Sequence, residues 1–306
     1  MNKNKIIGII SVPLENENNK INMKHCDNMS YLSNNHIQWL NRKGIQILII
    51  PYNIDNHEYI FRRINALYFP SNAVSDFNPK EYFDCCSKFI KLAIKSNKDG
   101  IYFPIYGICY GMEQMLVIAD KNNDFTILEE FNSYNKYFQK LVLTNDGNKH
   151  SKLINYIRNK DNKFLNKMQN NDLLLHEHKM GISLERFNKS NNLKSFYWIV
   201  STNKDRDNKD FVSIIESKKY PFYGFQWHPE QHVDNFNNKD MYIFADFFLS
   251  EIDKTPIKSG IEDIKDNLNK IKLDCTEYSK GLYKKCIFVY KNNLKNNKLR
   301  YCNIPI

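Results

Sequence analysis

In the first third of the chain, short apolar runs alternate with stretches whose apolar residues recur at helical spacing. The runs are KIIGIISV (5–12), IQILIIP (45–51), ALYFP (66–70) and IYFPIYG (101–107). Continuous apolar segments of this length suit strands buried on both faces. Between them, YLSNNHIQWLNRKG (31–44), NHEYIFRRI (56–64) and NPKEYFDCCSKFIKLAIKS (78–96) predict helices. In the last, Tyr82, Phe83, Cys86, Phe89, Ile90 and Ala93 share one face, and Pro79 suits a first helical turn. Strand and helix in alternation predict an α/β fold, a mostly parallel sheet covered by helices on both faces.

The rest of the chain is less regular. KYFQKLVLT (136–144), SFYWIVST (195–202), FVSIIES (211–217) and PFYGFQWHP (221–229) predict strands. KLINYIRNK (152–160), ISLERF (182–187) and KDMYIFADFFLSEID (239–253) predict helices. Residues 255–272 are polar and read as a helix or a linker, and GLYKKCIFVYKN (281–292) as a strand of a C-terminal appendage. The expected organisation is one domain over 1–254, with an extension over 255–306 packing on it. The N-terminal MNKNKIIGIISVP has the outline of a weak signal peptide, but its apolar stretch is short and no small-residue cleavage site follows. It is read as the first strand. No run reaches the roughly 18–20 apolar residues of a membrane span.

With 306 residues, 42% of them hydrophobic and 14% aromatic, the chain can bury a substantial core. The net charge of +10 comes from scattered lysines, with no Arg-rich helix, zinc-finger spacing or RNP-like pattern, so no nucleic acid partner is expected. Seven cysteines, an odd number without a C-x-x-C pair, argue against a disulfide framework and against structural zinc. Two N-x-S sequons, at Asn28 and Asn188, matter only on a secretory route.

One cysteine stands apart. In YGICYGMEQM, Cys109 lies between Gly107 and Gly111, after an apolar strand and before a stretch of helical periodicity. G-x-C-x-G is the thiol counterpart of the nucleophile elbow, a turn that needs small flanking residues and lifts its central side chain to the carboxyl end of a sheet. A helix N-terminus there is expected to lower the thiol pKa, and first-turn N–H groups such as that of Tyr110 to hold an oxyanion. A nucleophilic cysteine needs a base. His228 follows an apolar strand in YGFQWHPE, Pro229 stops that strand, and Glu230 is placed to orient the imidazole.

GICYGMEQM followed by YPFYGFQWHPE resembles the class I glutamine amidotransferase-like superfamily, and most of all its γ-glutamyl hydrolase family. IIGII, INALYFP (64–70), HKMGISLERF (178–187), STNKD (201–205), IFADFFLSE (243–251) and the terminal LYKKCIFVY carry the likeness in the same order. The resemblance implies a flavodoxin-like, doubly wound core with a C-terminal extension. It implies cysteine-dependent hydrolysis of γ-glutamyl bonds in folylpoly-γ-glutamates, with no cofactor and no metal. Cys109 corresponds to the nucleophile, His228 to the general base and Glu230 to its acidic companion. His178 corresponds to a histidine near the cleft, and Glu113 to the position that touches the glutamyl substrate. The implied partner is a small-molecule substrate, with a homodimer left open. Secreted, lysosomal or vacuolar placement is what the resemblance implies; the absence of a clear leader points instead to the cytoplasm.

In one place the chain departs from the family. FPSNAV (69–74) stands where F-P-G-G is usual. Ser71, Asn72 and Ala73 must then supply the second oxyanion N–H from a loop without glycine. That departure keeps open a catalytically impaired binding protein, beside a glutaminase subunit serving a separate synthetase.

Overall fold

The computed structural model describes residues 5–13, 29–41, 45–72, 80–122, 124–231, 239–258, 275–276 and 286–290. It divides into two compact units, residues 1–103 with 252–306, and residues 104–251.

In the first unit, β1 (Ile6–Ile10) lies between β4 (Gln46–Ile50) and β5 (Ala66–Phe69), parallel to both. Ile7 and Ile9 face Ile47 and Ile49 on one side, Ala66 and Tyr68 on the other. Every residue of β1 and β5 is buried, as their unbroken apolar sequences require. The two-residue β2 (Val12–Pro13) pairs antiparallel with β3 (Met29–Ser33). The helices are α1 (Asn34–Leu40), α2 (His57–Phe61) and α3 (Lys80–Lys98), whose buried face includes Tyr82, Phe83, Cys86, Phe89, Ile90 and Ala93. The expected helix over 31–44 is therefore corrected. Residues 31–33 belong to β3, and helix begins only at Asn34. The Pro79 expectation falls outside the described residues.

The second unit opens with β6 (Ile105–Ile108) and α4 (Tyr110–Asp120). A long hairpin follows, β7 (Glu129–Gln139) against β8 (Leu174–Gly181), antiparallel and interrupted by two register shifts. Between its strands lie α5 (Asn145–His150) and α6 (Lys152–Asn170). The chain continues through α7 (Leu184–Lys189), α8 (Asn191–Phe196), β9 (Tyr197–Lys204), β10 (Asp210–Ser217), β11 (Phe222–Phe225) and α9 (Tyr242–Asp253). β6 and β11 are parallel, and β10 pairs antiparallel with β11 and β9. Tyr106 stacks on Phe225 at 4.8 Å and lies 4.7 Å from Phe248, which fastens β6 and β11 to α9. The expected strand over 136–144 is corrected to one that runs 129–139, and β8 has no counterpart among the expected strands.

Beyond residue 251 the chain belongs to the first unit, where the buried Lys5 ammonium donates to the carbonyls of Ile252, Asp253 and Thr255 at 2.7–2.9 Å. Two C-terminal strands are described, β12 (Cys275–Thr276) and β13 (Cys286–Tyr290). β13 pairs antiparallel with β3, Cys286 opposite Ser33. Most of the polar stretch 255–272 lies outside the described residues. The core strands are thus mostly parallel and the fold is α/β.

Candidate active site

The turn that carries Cys109 is set by its neighbours on both sides. Ile108 at the end of β6 pairs with Phe225 at the end of β11, and the Cys109 N–H donates to the Phe225 carbonyl. Gly107 sits against the first turn of α4. A Cβ there would lie 2.6 Å from the Met115 sulfur and 2.8 Å from the Gly111 carbonyl carbon. The missing side chain at Gly107 is the space that lets the strand end lie against the Gly111 backbone of the helix. Cys109 itself has φ 51° and ψ −108°, outside the ordinary left-handed region. Such strain costs about 1–3 kcal/mol and persists only where surrounding pairing enforces it. The Cys109 carbonyl accepts from the Glu113 N–H at 3.0 Å, so α4 starts directly after the thiol.

His228 comes three residues after β11. Its backbone N–H donates to the Leu175 carbonyl of β8 at 2.9 Å, and its ring is fully buried. Nδ1 lies 2.8 Å from Glu230 Oε1, with both groups withdrawn from water. A carboxylate there keeps Nδ1 protonated and leaves Nε2 as the nitrogen that can gain or lose a proton. Nε2 has no hydrogen bond of regular geometry to any described residue. Cys109 and His228 nevertheless act on each other directly, each favouring the other's charged form. Burial opposes charge on the imidazole, yet Glu230 and Cys109 together hold its pKa well above the ordinary histidine value. Trp227 and Phe225 pack edge-on against Phe244 of α9 and close the apolar wall beside the ring.

The expected lowering of the thiol pKa is corrected. Burial pushes the Cys109 thiol up, His228 pulls it down, and Glu113 and Glu230 push it up again. Removal from water is the largest of these influences.

Glu113, on the first turn of α4, is nearly buried and accepts from the Gln226 amide nitrogen at 2.9 Å. The same nitrogen donates to Cys109 Sγ at 3.7 Å. His178 lies on β8 with Nδ1 2.9 Å from the Met180 carbonyl and Nε2 3.3 Å from His176 Nδ1. Burial, chiefly, pushes the His178 pKa down to about 3, and His176 well below its ordinary value; the charge on His228 adds to both. Tyr110 occupies the first position of α4.

The second unit therefore brings together Cys109, Glu113, His228 and Glu230, with His178 close enough to feel the charge on His228. Ser71 and Asn72 belong to the first unit, where Ser71 Oγ meets His36 Nε2 at 2.9 Å and Asn72 Oδ1 accepts from the Tyr31 hydroxyl at 2.6 Å. Ala73 lies outside the described residues. Sequence reasoning missed Gln226 and His176. Each stands two residues before a histidine it did select, and in an extended chain that spacing places side chains on one face.

The sequence profile of the family described as glutamine amidotransferase class-I matches residues 24–250, which include every one of these second-unit groups. This chain belongs to that family. Among curated proteins it is similar to γ-glutamyl hydrolase B of Dictyostelium discoideum, with 26% identity over 97% of this chain and 86% of that protein. It is also similar to the γ-glutamyl hydrolases of Bos taurus, at 29% identity over 86% of this chain and 83% of that one, and of Homo sapiens, at 28% over 82% and 79%. In this family member the elbow, the imidazole and its carboxylate all lie within the matched segment.

Proposed function

We propose that the chain is a γ-glutamyl hydrolase that uses Cys109 as its nucleophile and releases glutamate or short γ-glutamyl peptides from folylpoly-γ-glutamates. The observation that carries this reading is the strained Cys109 elbow coupled to a buried imidazole whose far nitrogen is bonded to Glu230. The similarity to proteins named γ-glutamyl hydrolase supports the substrate class. The scattered net charge of +10 suits a polyanionic glutamate tail.

His228 takes the thiol proton, and the Cys109 thiolate attacks the γ-carbonyl carbon. The carbonyl electron pair moves to oxygen, where the Tyr110 N–H at the start of α4 meets it. As the C–N bond breaks, imidazolium Nε2 gives its proton to the departing α-amine of the next glutamate. A water then adds to the thioester, with its proton passing to His228. Collapse expels the Cys109 thiolate and leaves a γ-carboxylic acid, which ionises. Glu230 keeps Nδ1 protonated throughout, so that Nε2 alone exchanges protons. No step calls for a metal or cofactor.

The test is glutamate release from pteroyl-penta-γ-glutamate by the purified chain beside its Cys109→Ala variant. Release by the parent and none by the variant is expected; comparable release by both would sink the scheme. Ser71 and Asn72 in place of glycine favour a second reading, a cleft that binds without turnover. Tight binding of the same substrate by the parent with no release would decide for it. Release of ammonia from glutamine, raised by a partner protein, would decide for a glutaminase subunit.

A further inference from the structure

A glutamine side chain has two N–H donors on one atom and one acceptor oxygen. Gln226 is fully buried, and its backbone is fixed by donation from its N–H to the Ser213 carbonyl at 2.9 Å. Its amide nitrogen meets two acceptors, Glu113 Oε1 at 2.9 Å and Cys109 Sγ at 3.7 Å, one for each hydrogen. The opposite amide orientation would turn a carbonyl oxygen against a carboxylate and a sulfur, so the acceptors themselves dictate which way the group faces. The amide oxygen has no hydrogen-bond partner among the described residues. A buried orphan acceptor costs about 1–3 kcal/mol. The local structure is thus arranged around the nitrogen at the expense of the oxygen.

Glu113 and Cys109 sit one helical turn apart, and both carry negative charge when the cysteine is a thiolate. The groups that face Cys109 are Glu113 from its own helix and His228 and Glu230 from the segment after β11. Of these charged groups His228 favours the thiolate, while both acids oppose it. An uncharged double donor between sulfur and carboxylate answers both without a further cation that would compete for Glu230 or protonate the leaving group.

We propose that Gln226 is a positioning residue for the nucleophile, its amide nitrogen bridging Cys109 and Glu113 so that negative charge forms on the sulfur beside an existing carboxylate. This rests on Cys109 being the nucleophile of the proposed hydrolase.

The test is a titration of the Cys109 thiolate by its ultraviolet absorbance, taken as the difference between each protein and its Cys109→Ser counterpart. In Gln226→Met, of similar length but without a donor, the midpoint is expected to rise by about one pH unit, a tenfold loss of thiolate at a fixed pH below the midpoint. Glu113→Gln is expected to lower the midpoint, and by more in the Gln226→Met background than in the parent, because the bridge no longer shields the sulfur. A side chain that only fills space moves neither the midpoint nor this coupling. An unchanged midpoint in Gln226→Met, or an equal effect of Glu113→Gln in both backgrounds, overturns the proposal. Should Gln226→Met fail to fold, Gln226→Asn keeps the amide but falls short of both acceptors, and its midpoint must rise in the same direction. The titration uses no substrate. A parent that releases no glutamate therefore counts against the hydrolase reading alone, while the midpoints still decide the bridge.

Discussion

At the scale of single residues, Glu230 decides what His228 does. Its carboxylate fixes one ring nitrogen at 2.8 Å and raises the imidazole's affinity for a proton inside an apolar wall. Glu230→Gln keeps the shape but removes the charge and puts a neutral amide, one oxygen acceptor and one NH2 donor, where the carboxylate offered two acceptor oxygens. The expected result is a loss on the order of 10²-fold or more in kcat/KM, as when a catalytic histidine loses the partner that sets its tautomer. The alkaline limb of the pH–rate profile is expected at lower pH, because the imidazolium now gives up its proton more readily. A profile unmoved by the substitution would show that Glu230 does not govern the base. The turn at Cys109 was legible in the sequence because a strand-to-helix elbow needs the local pattern G-x-C-x-G. Gln226 stands in the same YGFQWHPE run as His228, but what its amide does shows only once its neighbours in space, Glu113 and Cys109, are known.

At the scale of elements, buried polar groups do structural work that hydrophobic pattern alone does not reveal. The Glu216 carboxylate on β10 is almost fully buried and caps the start of α6. It accepts from the Ser151 hydroxyl at 2.8 Å and from the Lys152 N–H at 3.0 Å, while Ser151 Oγ accepts from Ile154 N–H at 3.1 Å. Glu216→Ala leaves first-turn donors unmatched, and about 1–3 kcal/mol of stability is expected to be lost, measured by denaturant unfolding. A variant as stable as the parent would mean that water replaces the cap at no cost. The same physics explains which elements could be read. β1, β4, β5 and β6 are short unbroken apolar runs, and any parallel sheet buried on both faces needs those. β8 escaped because two of its inward residues are His176 and His178, polar letters that burial and mutual bonding make acceptable. Residues 31–33 read as the start of a helix, but pairing with β13, remote in sequence, draws them into a strand. In β7, positive φ at Asn135 and Lys136 lies where the pairing register shifts, which removes the regular alternation that marks a strand.

For the whole molecule, the buried histidines make stability depend on pH. His176 and His178 bind protons far less readily when folded, His178 with a pKa of about 3 against about 6.5 unfolded. Below about pH 6.5 the unfolded chain takes up protons that the folded chain refuses, so stability falls as pH falls. His228 has the opposite sign. Its raised pKa contributes stability that is complete below about pH 6.5 and is lost only as pH rises through the folded value, so it adds no slope on the acid side. Each lowered histidine steepens the acid-side decline by about 1.4 kcal/mol per pH unit. His178→Gln is expected to be shallower than the parent by that amount between pH 6 and about 4, read from denaturant melts at stepped pH. Parallel curves would mean that His178 titrates normally in the folded protein.

The pairing of β6 with β11 has a consequence for the protein's own synthesis. Cys109 leaves the ribosome well before His228, and the backbone bond from Cys109 to Phe225 cannot exist until β11 has emerged and docked beside β6. The strained turn at Cys109 depends on that docking, so a nascent chain carries an unstrained, unassisted cysteine. The last central strand to arrive is the one that completes the turn. On the proposed mechanism, a chain cut short before β11 is a thiol protein and no more, and its nucleophile is confined to molecules that have finished folding.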